Sequence, residues 1–236
     1  MRLLDLGGLN CRAVGGDDGR GGGDGPLVVL LHGFGAPGDD LVPLADFIDV
    51  PAGTRFLFPE APLAMPSLWG GRAWWMLDIG ALEASIASGE PRDLSGGKPD
   101  GMAGVHAQVV AMLEAAWPAL GATPEHTVLG GFSQGSMLSA DVALATDWPL
   151  AGLVLLSSTL VDAGTWAARA PSRAGLPVFQ SHGTADPLLP LVAAERLRDL
   201  LAEAGLRVDW HRFPGGHEIP PPVLAALGAF LGRVLG

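Results

Sequence analysis

The chain has 236 residues, of which 48% are hydrophobic and 17% are charged, a balance typical of a globular protein and not of a disordered one. It carries 14 basic and 25 acidic residues, and the resulting net charge of −11 argues against nucleic acids and anionic membrane surfaces as partners. Because Cys11 is the single cysteine, an intrachain disulfide and a cysteine metal cluster are excluded.

The beginning of the chain indicates where the protein resides. The first residues, MRLLDLGGLN, lack the sustained apolar region of a secretory signal. No apolar run along the chain approaches the ~18 residues that a membrane helix needs. We therefore expect a soluble cytoplasmic protein without a membrane span. Residues 15–25, GGDDGRGGGDG, predict a polar hairpin connection, because the sequence that follows is not that of a phosphate loop.

Apolar runs then alternate with segments of helical periodicity. The run LVVLL at 27–31 is apolar throughout, which is typical of a strand buried on both faces of a parallel sheet. Strands that alternate with helices indicate parallel crossover units. We predict a single α/β domain over residues 1–236, with a mostly parallel sheet and helices on both faces. The further predicted strands lie at 55–58, 127–129, 153–156, 177–180 and 207–210, and the helices at 101–120, 134–146, 188–204 and 222–235.

The motif GFSQG at 131–135 places a serine between two glycines, after a predicted strand and before a predicted helix. In a chain with 35 glycines the motif carries little weight alone, so its context decides. Gly131 and Gly135 would permit the close backbone approach that a sharp strand–turn–helix elbow requires. The following helix would direct the positive end of its dipole towards Ser133. We interpret Ser133 as a nucleophile, and the alternative is an ordinary helix N-cap.

A nucleophilic serine needs a base and an acid that orients the base, and in folds with such an elbow they follow in the order Ser, Asp, His. Asp186 follows the predicted strand at 177–180, and His217 follows the one at 207–210. Both therefore lie where open α/β sheets place their sites. We interpret Ser133, Asp186 and His217 as a catalytic triad. The alternatives are a helix cap for Asp186 and a loop histidine for His217.

The negative charge that develops on an attacked carbonyl oxygen requires preorganised hydrogen-bond donors. The backbone N–H of Gln134, the residue after the nucleophile, is one candidate. The loop HGFG at 32–35 follows an early predicted strand, and we choose the N–H of Phe34 as the second. We interpret His32 as a structural residue that holds this loop.

Several stretches match the motifs of a known family, in order along the chain: LLHGFG (30–35), FPEAP (58–62), GGRAWWMLD (70–78), GGFSQGS (130–136), HGTADPLLP (182–190) and PGGHEIP (214–220). The chain resembles the α/β-hydrolase superfamily, specifically its carboxylesterase, lysophospholipase and acyl-protein thioesterase group. The resemblance implies the Ser133, Asp186 and His217 triad, with Phe34 and Gln134 as oxyanion donors. WWMLD at 74–78 and residues 80–100 depart from the family pattern near the expected acyl pocket, so substrate preference does not carry over.

Three tryptophans, Trp69, Trp74 and Trp75, lie with Met76 in an irregular segment punctuated by glycines. Most large apolar side chains belong to cores, but in such segments they often line a ligand cleft. We predict Trp69, Trp74 and Trp75 as substrate-binding residues.

Together these features predict a serine hydrolase that acts on small to medium acyl esters through an acyl-enzyme intermediate. We expect no metal and no organic cofactor, because the remaining histidines show no metal-ligand spacing. The expected partner is a small-molecule ester, and a homodimer stays open. Two alternatives are a thioesterase or lysophospholipase with the same triad, and a ligand-binding protein that keeps the fold without turnover.

Overall fold

The computed structural model describes residues 1–65, 68, 70–78, 80 and 94–236. The strands in these ranges are β1 (Arg2–Leu6), β2 (Leu9–Gly16), β3 (Arg20–Gly22), β4 (Leu27–Leu31), β5 (Arg55–Pro59), β6 (Leu63–Met65), β7 (Gly71–Ala73), β8 (Thr127–Phe132), β9 (Gly152–Leu156), β10 (Pro177–Gly183) and β11 (Arg207–Phe213). The α-helices there are α1 (Met102–Leu120), α2 (Gln134–Ala145), α3 (Ala163–Arg169), α4 (Leu191–Glu203) and α5 (Pro221–Leu235). Short 3₁₀ helices span Val42–Asp46, Pro124–His126 and Ala170–Arg173.

The main sheet has the strand order β1-β2-β5-β4-β8-β9-β10-β11, and β3 pairs with the end of β2. From β5 to β11 neighbouring strands are parallel, whereas β1, β2 and β5 pair antiparallel at one edge. The chain leaves β4 to form β5 on one side and later returns to form β8 on the other. The carboxyl ends of β4 and β8 therefore flank a topological switch point, where open α/β sheets bind ligands.

Each strand of the sheet centre contributes side chains to two cores. In β4, Leu27, Val29 and Leu31 face one core, while Val28 and Leu30 face the other. The first core is covered by α1, α2, α3 and α4, and the second by α5. Burial on both faces explains why this strand is apolar throughout. The predicted α/β fold, with a mostly parallel sheet and helices on both faces, is confirmed.

Some elements were not predicted. The N-terminal β1 and β2 form an antiparallel pair, β6 and β7 form a second small sheet, and α3 is a short additional helix. In the predicted polar connection, one oxygen of Asp18 accepts the N–H groups of Arg20 at 2.7 Å and Gly22 at 2.8 Å. Part of that connection forms the strand β3, which pairs parallel with the end of β2. Among the described residues, no helix is both long and apolar enough to cross a membrane.

Candidate active site

Ser133 lies between the end of β8 and the start of α2, in a sharp turn. Its backbone has φ 54° and ψ −119°, outside the φ/ψ regions that residues other than glycine favour. Its N–H donates to the carbonyl of Leu156 at 2.8 Å. A Cβ on Gly131 would lie 2.5 Å from the carbonyl oxygen of Leu31, and one on Gly135 would lie 2.1 Å from the same oxygen. The turn can therefore form only with glycine on both sides of it.

Asp186 and His217 meet at the carboxyl edge of the same sheet. The Nδ1 atom of His217 lies 2.7 Å from Oδ2 of Asp186, and the other carboxylate oxygen accepts the N–H groups of Leu188 and Leu189, each at 2.9 Å. Burial alone would raise the pKa of Asp186. The hydrogen bond and charge of His217 and the two N–H donors outweigh burial, so the pKa of Asp186 is lowered. An ionised carboxylate can only accept a hydrogen bond, so Nδ1 of His217 is the donor in this contact.

His182 is a member of this site that was not predicted from the sequence. Its side chain is fully buried, with Nε2 2.8 Å from the carbonyl oxygen of Leu189 and 3.5 Å from Oδ2 of Asp186. Burial lowers the pKa of His182, so the ring is neutral and its Nε2–H donates to the Leu189 carbonyl. The ring thus braces the turn that presents Asp186. The stretch HGTAD at 182–186 was the available signal, but it did not reveal this contact.

The loop after β4 is fixed from both sides through His32. This buried ring accepts the N–H of Ala61 on Nε2 at 3.1 Å, and its Nδ1 lies 2.8 Å from the carbonyl oxygen of Gly33. Burial lowers the pKa of His32, which keeps the ring neutral. The indole N–H of Trp74 donates to the His32 carbonyl at 2.8 Å. These contacts give His32 the loop-holding position expected from the sequence.

The two predicted oxyanion donors lie beside the serine. A Cβ on Gly33 would be only 3.5 Å from the Cβ of Ser133, so the loop directly adjoins the elbow. Phe34 and Gln134 line the same cleft as Ser133 and His217. Gln134 is the first residue of α2, where helix geometry leaves a backbone N–H without an intrahelical acceptor.

The side chain of Gln134 has a second task that the sequence did not reveal. Its Oε1 accepts the N–H of Trp74 at 2.9 Å, and its Nε2 donates to the carbonyl of Trp75 at 2.8 Å. Both of these hydrogen bonds are buried. The side chain therefore links the tryptophan segment to the start of α2.

Ser133 and His217 open onto a cleft of about 550 Å³, within the usual size of a small-molecule site. The ring of Phe132 supports His217, with centroids 4.8 Å apart. Among the described residues, no group of three or more His, Cys, Asp or Glu side chains could hold a metal ion. The other cleft-lining residues are Gly33, Phe34, Ala36, Asp40, Trp75, Met76, Leu77, Asp78, Leu94, Gly96, Gly97, Pro99, Asp100, Gln134, Met137, Leu188 and Leu189.

The predicted substrate-binding tryptophans take different positions. Trp75 lines the cleft, although only 1% of its surface is exposed. Trp74 is equally buried but is not among the lining residues, since its indole packs at 5.4 Å from the ring of His32 and supports the loop. Trp69 lies outside the described residues. Met76, which is 57% exposed, also lines the cleft.

A larger depression, of about 910 Å³, lies at the opposite edge of the sheet around Arg173, Arg207 and Arg233. It contains no residue of the predicted triad and no residue of the loop after β4. Chemistry, rather than volume, therefore selects the cleft beside Ser133 as the candidate active site.

Comparison with known proteins agrees with this architecture. A family model described as phospholipase/carboxylesterase matches residues 22–235. The chain belongs to this family. The resemblance inferred from the motifs is therefore confirmed, and so is the expectation of a hydrolase that acts on ester bonds.

Relatives of this protein include acyl-protein thioesterase 1 of Neurospora crassa, which is 30% identical over 86% of this chain and 84% of the relative. The carboxylesterase SOBER1 of Arabidopsis thaliana is 27% identical over 89% of this chain and 90% of its own. Among solved structures, that of esterase PE8 has a TM-score of 0.81 at 28% identity and covers 100% of both chains. The Bacillus cereus carboxylesterase, at 21% identity, 96% and 94% coverage and a TM-score of 0.71, shares the fold.

Proposed function

We propose that this protein hydrolyses carboxylic esters with Ser133 as nucleophile, His217 as base and Asp186 as the orienting acid. The observation that carries the proposal is the 2.7 Å contact between Nδ1 of His217 and the buried carboxylate of Asp186, at the cleft that Ser133 also lines. The strained backbone of Ser133 supports it further, because such strain persists at functional sites. We also propose that residues 1–236 act as a single hydrolase domain.

In the first half of the reaction, the Oγ atom of Ser133 attacks the ester carbonyl carbon and its proton passes to Nε2 of His217. Asp186 stabilises the imidazolium that forms. The backbone N–H groups of Phe34 and Gln134 donate to the oxyanion, an interaction whose loss costs about 3–4 kcal/mol per donor in a well-studied case. The C–O bond to the alcohol then breaks, and Nε2 of His217 protonates the departing oxygen.

In the second half, water takes the place of the alcohol. His217 removes a proton from the water, whose oxygen attacks the acyl carbon of the Ser133 ester. Collapse of this second tetrahedral intermediate releases the carboxylic acid and returns the proton to Oγ of Ser133. The triad returns to its starting state, and the reaction consumes only the ester and one water molecule.

We propose small to medium acyl esters as substrates. A cleft of about 550 Å³ with apolar lining from Trp75, Leu77, Leu94 and Met137 supports acyl groups of moderate length.

A thioesterase is the second candidate, and the acyl-protein thioesterase relatives favour it. The triad would serve both reactions, since attack on the carbonyl carbon is the same and only the leaving atom changes from oxygen to sulfur. Matched substrates, such as butyryl esters of a phenol and of the corresponding thiophenol, separate the two by their kcat/KM ratio.

The test is the hydrolysis of p-nitrophenyl esters with acyl chains from two to sixteen carbons by the wild-type chain and by Ser133→Ala. We expect turnover in the wild type that falls by at least about 10³-fold in the variant. Ser139→Ala is the matched control, because this serine lies on α2 and bonds the Gly135 carbonyl without lining the cleft. It should keep wild-type activity within about threefold.

A fluorophosphonate probe gives a second measure of the same proposal. Rapid labelling of the wild type and of Ser139→Ala, absent in Ser133→Ala, supports the nucleophile. Folded wild-type protein that neither labels nor turns over any ester would replace the enzyme with a ligand-binding protein of the same fold.

A further inference from the structure

A buried carboxylate outside the triad has an unusual set of partners. Asp141 lies on α2 with no exposed side-chain surface, and its Oδ2 is 2.7 Å from Nζ of Lys98 and 2.6 Å from Nδ1 of His106. Its Oδ1 accepts the indole N–H of Trp166 at 3.1 Å. Although burial raises the pKa of Asp141, these donors outweigh burial and lower that pKa to about 2. A carboxylate that is ionised at neutral pH inside a core costs free energy unless its partners are held in place.

The cationic partner belongs to a wall of the cleft. Lys98 is the only lysine in the chain, and it lies within the short stretch 94–100. Leu94, Gly96, Gly97, Pro99 and Asp100 of this stretch all line the cleft, whereas Lys98 points to Asp141. We call residues 94–100 the cleft wall.

The cleft wall has no regular secondary structure to hold it. Residues 94–100 belong to no described helix or strand, and two of them are glycines, which leave the backbone free to adopt many conformations. One backbone contact attaches the stretch to α3, where the N–H of Ala163 donates to the carbonyl of Ser95 at 3.0 Å. The ion pair of Lys98 adds an anchor close to the middle of the wall.

The other end of this anchor is rigidly coupled to the nucleophile. Asp141 lies on α2, the helix that begins at Gln134 directly after Ser133. Met137, one helical turn before Asp141, also lines the cleft. The ion pair therefore joins the cleft wall to a helix that contributes another lining residue to the same cleft.

We infer that Lys98 is a positioning residue that sets the distance between the cleft wall and α2, and thereby the selectivity for longer acyl groups. The inference rests on the proposed ester hydrolysis. An acetyl group fills little of the cleft beside Ser133, whereas a medium acyl chain must contact the wall. Losing the anchor should therefore weaken the binding of long acyl esters and spare acetate.

Lys98→Met tests this, since it keeps most of the side-chain length and removes the charge. We expect KM for p-nitrophenyl octanoate to rise about fivefold or more with kcat nearly unchanged, while kcat/KM for p-nitrophenyl acetate changes by less than about twofold. Lys98→Arg should restore much of the octanoate KM, because a guanidinium also pairs with a carboxylate. Arg198→Met is the control, as it removes a cation from the exposed pair with Asp199.

An equal loss of kcat/KM on the octanoate and the acetate, or an unchanged ratio between the two kcat/KM values, would overturn the inference. Amide hydrogen exchange gives a readout that needs no turnover, through the N–H of Ala163 that donates to the Ser95 carbonyl of the wall. In Lys98→Met this amide should exchange at least about tenfold faster, and the amides of β8 should not. Unchanged exchange at Ala163 also overturns the inference. Absence of turnover in the wild type would instead count against the proposed function, and the exchange result would still decide whether Lys98 anchors the wall.

Discussion

At the scale of single residues, one carboxylate does two separable tasks. Oδ1 of Asp186 caps the turn through the N–H groups of Leu188 and Leu189, while Oδ2 faces His217. An amide at this position could keep the first task with its carbonyl oxygen. It could not keep the second, because an NH₂ group would force the wrong tautomer on the imidazole.

Asp186→Asn should therefore lower kcat for p-nitrophenyl butyrate by about 10³–10⁴-fold, with KM changed by less than about threefold. Steady-state kinetics on both proteins measures this, and circular dichroism checks that the variant is folded. Asp199→Asn, on the exposed face of α4, controls for the loss of a negative charge. A loss of less than tenfold would assign Asp186 to the turn alone and leave His217 without its orienting acid.

At the scale of elements, the strand–turn–helix elbow depends on how closely the start of α2 approaches β4. A Cβ on Gly135 would lie 2.1 Å from the carbonyl oxygen and 2.5 Å from the carbonyl carbon of Leu31. Both are backbone atoms of a central strand, so no side chain can move aside to relieve the clash.

We expect Gly135→Ala to lower the free energy of unfolding by about 3 kcal/mol or more, and to abolish ester hydrolysis even where the protein still folds. Urea unfolding and p-nitrophenyl butyrate kinetics measure the two effects. Gly232→Ala is the matched control: this exposed glycine of α5 has open space around it, and alanine there should stabilise the helix by up to about 1 kcal/mol. Equal behaviour of the two variants would contradict the proposed tight elbow.

The helix α2 also carries a carboxylate whose ionisation stabilises the fold, Asp141. Because the pKa of Asp141 is lowered to about 2 in the folded chain, its ionisation stabilises the fold above the unfolded pKa, and this contribution is lost as pH falls towards 2. The effect is on the order of 1–2 kcal/mol once solvent screening is included.

Asp141→Asn should cost about 3 kcal/mol at pH 7, because Lys98 loses a buried partner, and should flatten the stability profile between pH 4 and 2. Urea unfolding at a series of pH values measures both. Asp199→Asn should leave the profile unchanged, since that carboxylate lies on the surface. A variant that keeps the wild-type slope would mean that other carboxylates set the acid limit.

Some of these elements could be predicted from the sequence, and others could not. Central strands such as β4 are predictable because burial on both faces leaves a continuous apolar run, and the order of Ser133, Asp186 and His217 follows from strand ends meeting at one edge. The pairing of β1 with β2 and the contact of Lys98 with Asp141 are not predictable in this way. They depend on which segments meet in space, and 43 residues separate the two partners of that ion pair. For Trp74 and Trp75, apolar character alone could not tell the support of a loop from the lining of a cleft.

At the scale of the whole molecule, the excess of negative charge continues into the candidate site. The net charge is −11, and Asp40, Asp78 and Asp100 all line the cleft. No lysine or arginine occurs among the described residues that line it. In a cleft with low-dielectric walls, charges of one sign reinforce each other and repel ligands of the same sign. The released carboxylate product would be expelled for the same reason.

An ester with a terminal carboxylate on its acyl group should therefore be a poor substrate. We expect kcat/KM for mono-p-nitrophenyl succinate to be at least about tenfold below that for the neutral p-nitrophenyl pentanoate at low ionic strength, and the gap to narrow in 0.5 M salt. Acidification should also weaken the discrimination, because it protonates both Asp40, whose pKa burial raises, and the terminal carboxylate of the succinyl ester. Asp40→Asn combined with Asp100→Asn should narrow the gap at neutral pH, whereas Asp199→Asn should not.

The neutral ester measured alongside corrects for the titration of the triad itself. Equal rates on the two esters at low salt would show that Asp40 and Asp100 do not act on the bound acyl group, and selectivity would then rest on the shape of the cleft.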